Sequence, residues 1–382
     1  MSVLLIIGAS TRAAVASARQ SSWTIHAMDM FGDVDTRSQS NFHLLNDYPT
    51  DCLSLLSDVR PDAICVTGAM ENHPSILQEL ATRATLLAPA VDQIARMRDP
   101  SNLQSILTSS NWQYPRTFAA NEHLPDGETL WLTKPIASAA GQGIHLFDNT
   151  DLSSPEPTKI IQERISGRNI SVSFLMHPSR TDLLGCTEQL LGHRELQASE
   201  FQYCGSIGPL HIPPSINKKL QELGQFLQHE YSLRGLIGVD LILHDDQLWL
   251  IEINPRYTAS MELFESQFNR SMIQLHLDSF SKHPATFNRI DHDNMHYGKA
   301  VLFARETTQV PNEFQSIWQA ALNCQQPTVA DLPPIGAIVQ AGHPLFTIFA
   351  HSKSTAETRA KLHQQATSFY NRLHATSPKR LH

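Results

Sequence analysis

Apolar residues recur along this chain at two rhythms, and the change between them outlines its parts. The run Val3-Leu4-Leu5-Ile6-Ile7 has no polar member, which predicts a strand buried on both faces. Gly8-Ala9-Ser10-Thr11-Arg12 follows, then an alanine-rich helix reaching Gln20. Trp23 to Met28 and Asp62 to Thr67 read as further strands, and Pro74-Ser75-Ile76-Leu77-Gln78-Glu79-Leu80 opens another helix. Strand and helix in alternation predict an open α/β sheet that closes near Asp99-Pro100. A short helix (Leu103 to Ser109) comes next. Strands are expected at Leu130 to Lys134, Ile144 to Phe147, Lys159 to Ile165 and Ile170 to Met176. A paired set follows at Gly238 to Leu243 and Leu248 to Ile253. Residues 298–350 combine β-propensity with turn signals, and a helix over Ala356 to Leu373 closes the chain. The fold class is therefore α/β and α+β, with divisions at 1–98, 99–180, 181–297 and 298–382. Neither an internal repeat nor a low-complexity tract is present.

Composition narrows the function classes. A chain of 382 residues exceeds one ordinary core. Its 41% hydrophobic and 17% charged residues suit a globular protein. The net charge of −8 leaves no cationic surplus for a nucleic-acid surface. Five cysteines lie scattered without a C-x-x-C pair, which favours a reducing compartment. Among 19 histidines none sits in H-E-x-x-H; Asp291, His292, Asp293 and His296 read as a polar surface loop rather than a metal site. No run reaches the length of a membrane span. The N-terminal apolar run lacks a preceding positive charge and ends early at Gly8 and Arg12, so a buried strand is expected there rather than a signal segment. A cytoplasmic protein without membrane or nucleic-acid partners is expected, with a homodimer left open.

The chemistry concentrates in three places. Val239 to Leu243 and Leu248 to Asn254 flank the turn His244-Asp245-Asp246-Gln247, and only Asp240, Glu252 and Asn254 interrupt their apolar character. Acidic groups in such strands are costly without a partner, and a hard cation such as Mg²⁺, with Mn²⁺ as a substitute, supplies one. Alternation puts Glu252 and Asn254 on one face, with Asp240 brought alongside by the hairpin. A pair of water-exposed strand ends, with Asp240 capping the turn, is the competing explanation. Arg256 projects from the same strand end and suits a phosphate or carboxylate. The second place is Leu132-Thr133-Lys134-Pro135, followed by Ser138, Gly141 and Gly143: a lysine delivered by a strand into a small-residue loop. Alone, it fits a turn as well as a phosphate site. The third is Gln162-Glu163-Arg164-Ile165-Ser166-Gly167, which alone does not separate a nucleotide hinge from any strand end.

Taken in order, K-P-x-x-S-x-x-G-x-G, Q-E-x-x-x-G, D-L-x-L and E-I-N-P-R resemble the ATP-grasp superfamily over residues 95 to 265. The resemblance implies an N-terminal α/β domain, a two-subdomain grasp and a small β-rich cap. It implies ATP and Mg²⁺ as cofactors, and an ADP-forming ligase that joins a small carboxylate to an amine through an acyl phosphate. By motif, Lys134 with Ser138, Gly141 and Gly143 holds phosphate, and Gln162, Glu163 and Ile165 line the adenine pocket. Asp240, Glu252 and Asn254 bind the metal, and Arg256 faces the acyl phosphate. Two positions depart from the pattern. Arg98 stands where a lysine is usual, and Asn169 where a carboxylate holds the ribose. Ala330 to Gly336 and Gly342 to Thr347 are similar to the cap of the biotin-carboxylase-like branch. Gly8 to Arg12 with Asp29-Met30-Phe31-Gly32-Asp33 resembles ATP-grasp proteins of tetrahydromethanopterin- and methanofuran-linked one-carbon metabolism. That implies glutamate, or a related amino acid, joined to a tyramine-like or glutamyl amine in making a one-carbon carrier. Two other classes stand beside this one. A non-catalytic ATP-binding subunit is favoured by Arg98 and Asn169. An oxidoreductase is suggested by Gly8 with Asp29, but Ser10 and Ala13 break the dinucleotide fingerprint.

Overall fold

A computed structural model describes residues 2–122, 124, 125, 127–148, 156, 158–282, 287 and 294–376; Asp291, His292 and Asp293 of the expected polar loop lie outside these. The N-terminal unit contains β1 (Val3–Ile7), α1 (Arg12–Ala18), β2 (Thr24–Asp29), α2 (Val34–Gln39), β3 (Asn41–Leu44), α3 (Asp51–Val59), β4 (Ala63–Val66), α4 (Pro74–Arg83), β5 (Thr85–Leu87) and α5 (Val91–Arg98). Its strands pair in parallel in the order β3-β2-β1-β4-β5. Leu4 to Ile7 are completely buried, as an all-apolar strand between two helical layers must be. The edge strands β3 and β5 lie outside the expected set; each is only three or four residues long, too short to show a strand rhythm.

A second unit begins with α6 (Pro100–Ser109), whose start is fixed by the Asp99 carboxylate accepting from the amides of Ser101 and Asn102. It continues with β6 (Thr117–Ala119), β7 (Trp131–Pro135), β8 (His145–Leu146) and β9 (Lys159–Glu163), a four-stranded sheet ordered β6-β9-β7-β8.

The third part holds β10 (Arg168–His177), β11 (Arg180–Leu191), β12 (Tyr203–Gly208), α7 (Pro214–Tyr231), β13 (Gly235–His244), β14 (Gln247–Asn254), α8 (Met261–Phe268), α9 (Met272–Ser279) and β15 (His296–Phe303). The chain ends with β16 (Thr308–Gln309), α10 (Gln315–Leu322), β17 (Val329–Ala330), β18 (Ile338–Val339), β19 (Pro344–Ser352) and α11 (Thr355–Thr376). One antiparallel sheet runs β14-β13-β10-β11-β12-β15-β19-β17. Two expectations shift. Ile170 to Met176 was grouped with the small unit, yet β10 pairs with β13 along Arg168 to Met176, so the change of sheet falls at residues 164–167. The reason is burial: Ile170, Val172, Phe174 and Met176 need a helix to cover them, and α7 supplies Leu220, Leu223 and Leu227. Each such side chain removed from water contributes roughly 1.5–3 kcal/mol. Gly224 permits the close approach, because a Cβ there would meet the Phe174 ring at 2.5 Å. The C-terminal part is β-rich, but β15, β19 and β17 extend the central sheet instead of closing on themselves. No described helix is long and apolar enough to cross a membrane.

Candidate active site

The β13–β14 hairpin builds the floor. Asp240 pairs with Glu252 and Gly238 with Asn254, and the register shifts between Asp240 and Leu241. That bulge leaves Ile251 as the extra residue. It lets Leu250 join Leu241 in the core while Glu252, two positions on, turns to the opposite face beside Asp240. Asn254 Nδ2 donates to Asp240 Oδ2 at 3.2 Å. Ser171 and Gln189, on β10 and β11, also bond the Asp240 carboxylate. Burial and then the neighbouring Glu252 charge push the Asp240 carboxyl up to about 6. Asp240, Glu252 and Asn254 thus share one face, with the Asn254 amide turning its nitrogen to Asp240 and its oxygen to Arg256.

Three cations converge on them. Arg98, at the end of α5, bonds Glu252 Oε1 through Nη1 and the Ile136 carbonyl through Nη2 at 3.3 Å. Its Nε is buried with no partner among the described residues. Lys134 reaches from β7 and donates to Gln162 Oε1 at 2.9 Å. Burial pulls its ammonium below the usual lysine value, while Glu252 and Asp240 oppose this and Arg98 adds to it. Arg256 Nη2 donates to Asn254 Oδ1 at 3.0 Å and to Glu71 Oε1 at 2.7 Å.

The other expected residues have the following partners. Gln162 is buried; its amide holds Lys134 and donates to Thr117 Oγ1 at 3.0 Å, so its side chain positions the lysine. Leu132 pairs with Gln162 and Trp131 with Glu163, so the Glu163 side chain lies on the sheet face opposite Lys134. There it binds Arg116 at 2.8 Å. Only the backbone of Glu163 remains for the cleft. Ile165 sits in the crossing between β9 and β10, beside Arg164, whose amide bonds the Leu130 carbonyl. Asn169 shares the Ser171 face of β10, one strand repeat beyond Asp240.

The loop after β7 is folded down. Asn72 Nδ2 donates to the Ser138 carbonyl at 3.1 Å, and the Tyr203 amide to the Ala140 carbonyl at 3.0 Å. Gly141 has φ +76°, and a Cβ there would stand 2.0 Å from the Phe201 carbonyl oxygen. Gly143, at φ +75°, packs on Pro135.

Glu71 escaped the sequence reading. It lies in a 3₁₀ turn just past the C-terminal end of β4, 3% exposed, and grips Arg256 through both Nε and Nη2. An acidic residue beyond the carboxyl end of a parallel strand is the one available signal. Gly8 and Asp29 have structural roles. A Cβ on Gly8 would collide with Thr67 Oγ1 at 1.9 Å. The Asp29 carboxylate accepts from the amides of Thr11, Phe31 and Gly32 and from the Thr11 hydroxyl. A second buried charge cluster joins Arg12 to Glu262 and to Asp331 at 2.9 Å, with Lys299 on Glu262 at 2.6 Å.

Residues 99–260 match the family model described as an ATP-grasp domain. A D-alanine–D-alanine ligase of Petrotoga mobilis is 26% identical over 156 residues, covering 37% of this chain and 52% of that protein. A tyramine–L-glutamate ligase of Methanocaldococcus jannaschii is 28% identical over 170 residues, 42% of this chain and 43% of that one. The matched part therefore spans about half the length of these curated relatives. Among solved structures, an L-amino acid ligase from Bacillus licheniformis superposes with a TM-score of 0.72 at 12% identity, covering 96% of this chain and 97% of that one.

Proposed function

Since residues 99–260 of this chain form an ATP-grasp domain, we propose that it is an ATP-dependent, ADP-forming ligase that joins a carboxylate to an amine. The observation that carries this reading is the meeting of Asp240, Glu252 and Asn254 with Lys134, Arg98 and Arg256. The two carboxylates suit Mg²⁺, which keeps its remaining positions for water and phosphate, and Asn254 would join them by turning its amide oxygen from Arg256. The buried, unpartnered Nε of Arg98 suits a phosphate oxygen. When bound, the ion neutralises charge on the transferring phosphoryl group. Lys134, held by Gln162, and Arg98 offset the rest as the substrate carboxylate attacks the γ-phosphorus and ADP leaves. The amine then adds to the acyl phosphate and expels phosphate. Arg256, aimed by Glu71 and Asn254, faces the oxyanion of that step. Positioning and electrostatics supply the rate; no covalent enzyme intermediate is needed.

For the finer substrate class we propose glutamate, or a related amino acid, joined to a tyramine-like amine, supported by the similarity to tyramine–L-glutamate ligase. A second reading, an ATP-binding subunit without turnover, is favoured by the Arg98–Glu252 pair, which engages one metal ligand. Purified protein with ATP, Mg²⁺ and a panel of amino acids and amines separates them. Release of ADP and phosphate only with a matched pair supports the ligase. Saturable ATP binding without product across the panel supports the subunit and defeats the ligase.

A further inference from the structure

Outside the candidate active site, the turn joining β11 to β12 meets helix α11. His193 and Glu195 belong to that turn, around a 3₁₀ segment at Arg194–Leu196, and His363 lies on the helix. The two pieces are fixed together on both sides of His363. Arg359 pairs with Glu188 on β11 at 2.6 Å, and the Tyr370 hydroxyl donates to the Leu196 carbonyl at 2.8 Å.

Within this frame His193 Nδ1, one Glu195 carboxylate oxygen and His363 Nε2 all lie within 4.8 Å of one another. Glu195 Oε1 is 3.6 Å from His193 Nδ1 and 3.5 Å from His363 Nε2. Tetrahedral zinc, with bonds of about 2.0–2.1 Å to nitrogen and oxygen, sets its ligand atoms about 3.4 Å apart. His363 Nε2 is closed to solvent and makes no hydrogen bond among the described residues, its nearest charged neighbour being Glu195 at 3.5 Å, so it is available as a ligand. The side chains of His193, Glu195 and His363 are 24%, 46% and 31% exposed, so the cluster lies at the surface, with Nε2 of His363 on its inner side. We propose that His193, Glu195 and His363 form a binding site for a zinc-class transition-metal ion, distinct from the oxygen-lined site on the β13–β14 hairpin. Two imidazoles and one carboxylate select zinc, cobalt or nickel over Mg²⁺, which prefers oxygen. An ion here cross-links α11 to the turn. The chain then runs directly into residues 199–203, against which Gly141 packs.

The test uses the full chain stripped with chelator and held in excess Mg²⁺, so that the oxygen site is filled. Zn²⁺ is titrated by calorimetry, and Co²⁺ by the visible absorption of a tetrahedral centre. One Zn²⁺ per chain and a raised melting temperature are expected. Both should disappear in His363→Ala and in His193→Gln, and persist in Asp240→Asn. The two histidine variants guard against loss of fold in either, checked by circular dichroism. Absence of Zn²⁺ uptake, or uptake that survives both histidine substitutions, overturns the proposal.

Discussion

Replacing Glu71 by glutamine tests how firmly Arg256 is held. The pair is buried, with the side chain of Glu71 3% and that of Arg256 13% exposed. Gln fills the same space, so the variant loses the charge pairing while Arg256 stays desolvated. Breaking a buried pair from one side costs about 3–5 kcal/mol. Asn254 Oδ1 and the Tyr257 carbonyl still accept from the guanidinium, which places Glu71→Gln near the lower end, about 3 kcal/mol. Arg256→Met strands the carboxylate instead and falls in the same range. The double variant should cost less than the sum by about 2 kcal/mol or more. Urea unfolding at neutral pH, followed by tryptophan fluorescence, measures all three. The acid limb gives a second check. Burial alone raises the Glu71 carboxyl, but the Arg256 charge and hydrogen bonds outweigh it, and the net shift is downward. Its contribution is therefore complete above the ordinary carboxylate value of about 4.3 and is lost as pH falls through the depressed one. The gap between wild type and Glu71→Gln should close only in that acid range. Additive effects within about 0.5 kcal/mol, or a gap independent of pH, would refute the reasoning.

Four further outcomes follow from the same geometry. The Asp240 carboxyl is raised to about 6, so its ionised form penalises the metal-free fold as pH rises through that value. Asp240→Asn should stabilise metal-free protein at neutral pH by roughly 1–3 kcal/mol in urea melts, yet abolish Mg²⁺-dependent ATP binding by calorimetry. In the wild type, Mg²⁺ affinity should climb as pH passes upward through about 6. Arg98→Gln should weaken ATP binding by about 10–100-fold in equilibrium dialysis, the worth of one charged hydrogen-bonding partner; an unchanged affinity would remove Arg98 from the nucleotide site. Gly141→Ala should raise the KM for ATP while lowering the unfolding free energy by less than about 1 kcal/mol, since the clash with Phe201 undocks a loop and leaves the core intact.

What the sequence disclosed was local, and what it hid was contact across distance. Asp240, Glu252 and Asn254 stood out because oxygen-bearing residues interrupted two apolar strands joined by a short turn. The bulge at Ile251 that aims Glu252 left no mark in composition, since Ile251 resembles its neighbours. Lys134 was legible ahead of its glycine loop; Gln162 as its holder was not, because an amide in a strand looks alike whichever face it takes. Glu71 meets Arg256 across 185 residues, and no local pattern encodes such a pairing. For β10, pairing with a strand some seventy residues onward decided its sheet, whereas proximity in sequence suggested the wrong neighbour.

The loop after β7 ties the four-stranded sheet down through three consecutive-alternate carbonyls, at Ile136, Ser138 and Ala140, each gripped by a different part of the molecule: Arg98, Asn72 and Tyr203. Latches of this kind contribute about 0.5–1.5 kcal/mol apiece. Thermal agitation can release all three together in a small, steadily renewed fraction of molecules. The buried Arg12 cluster meanwhile fastens α1 to α8 and to Asp331 at the end of β17. The firmness of the loop's attachment is therefore written in one short stretch of backbone.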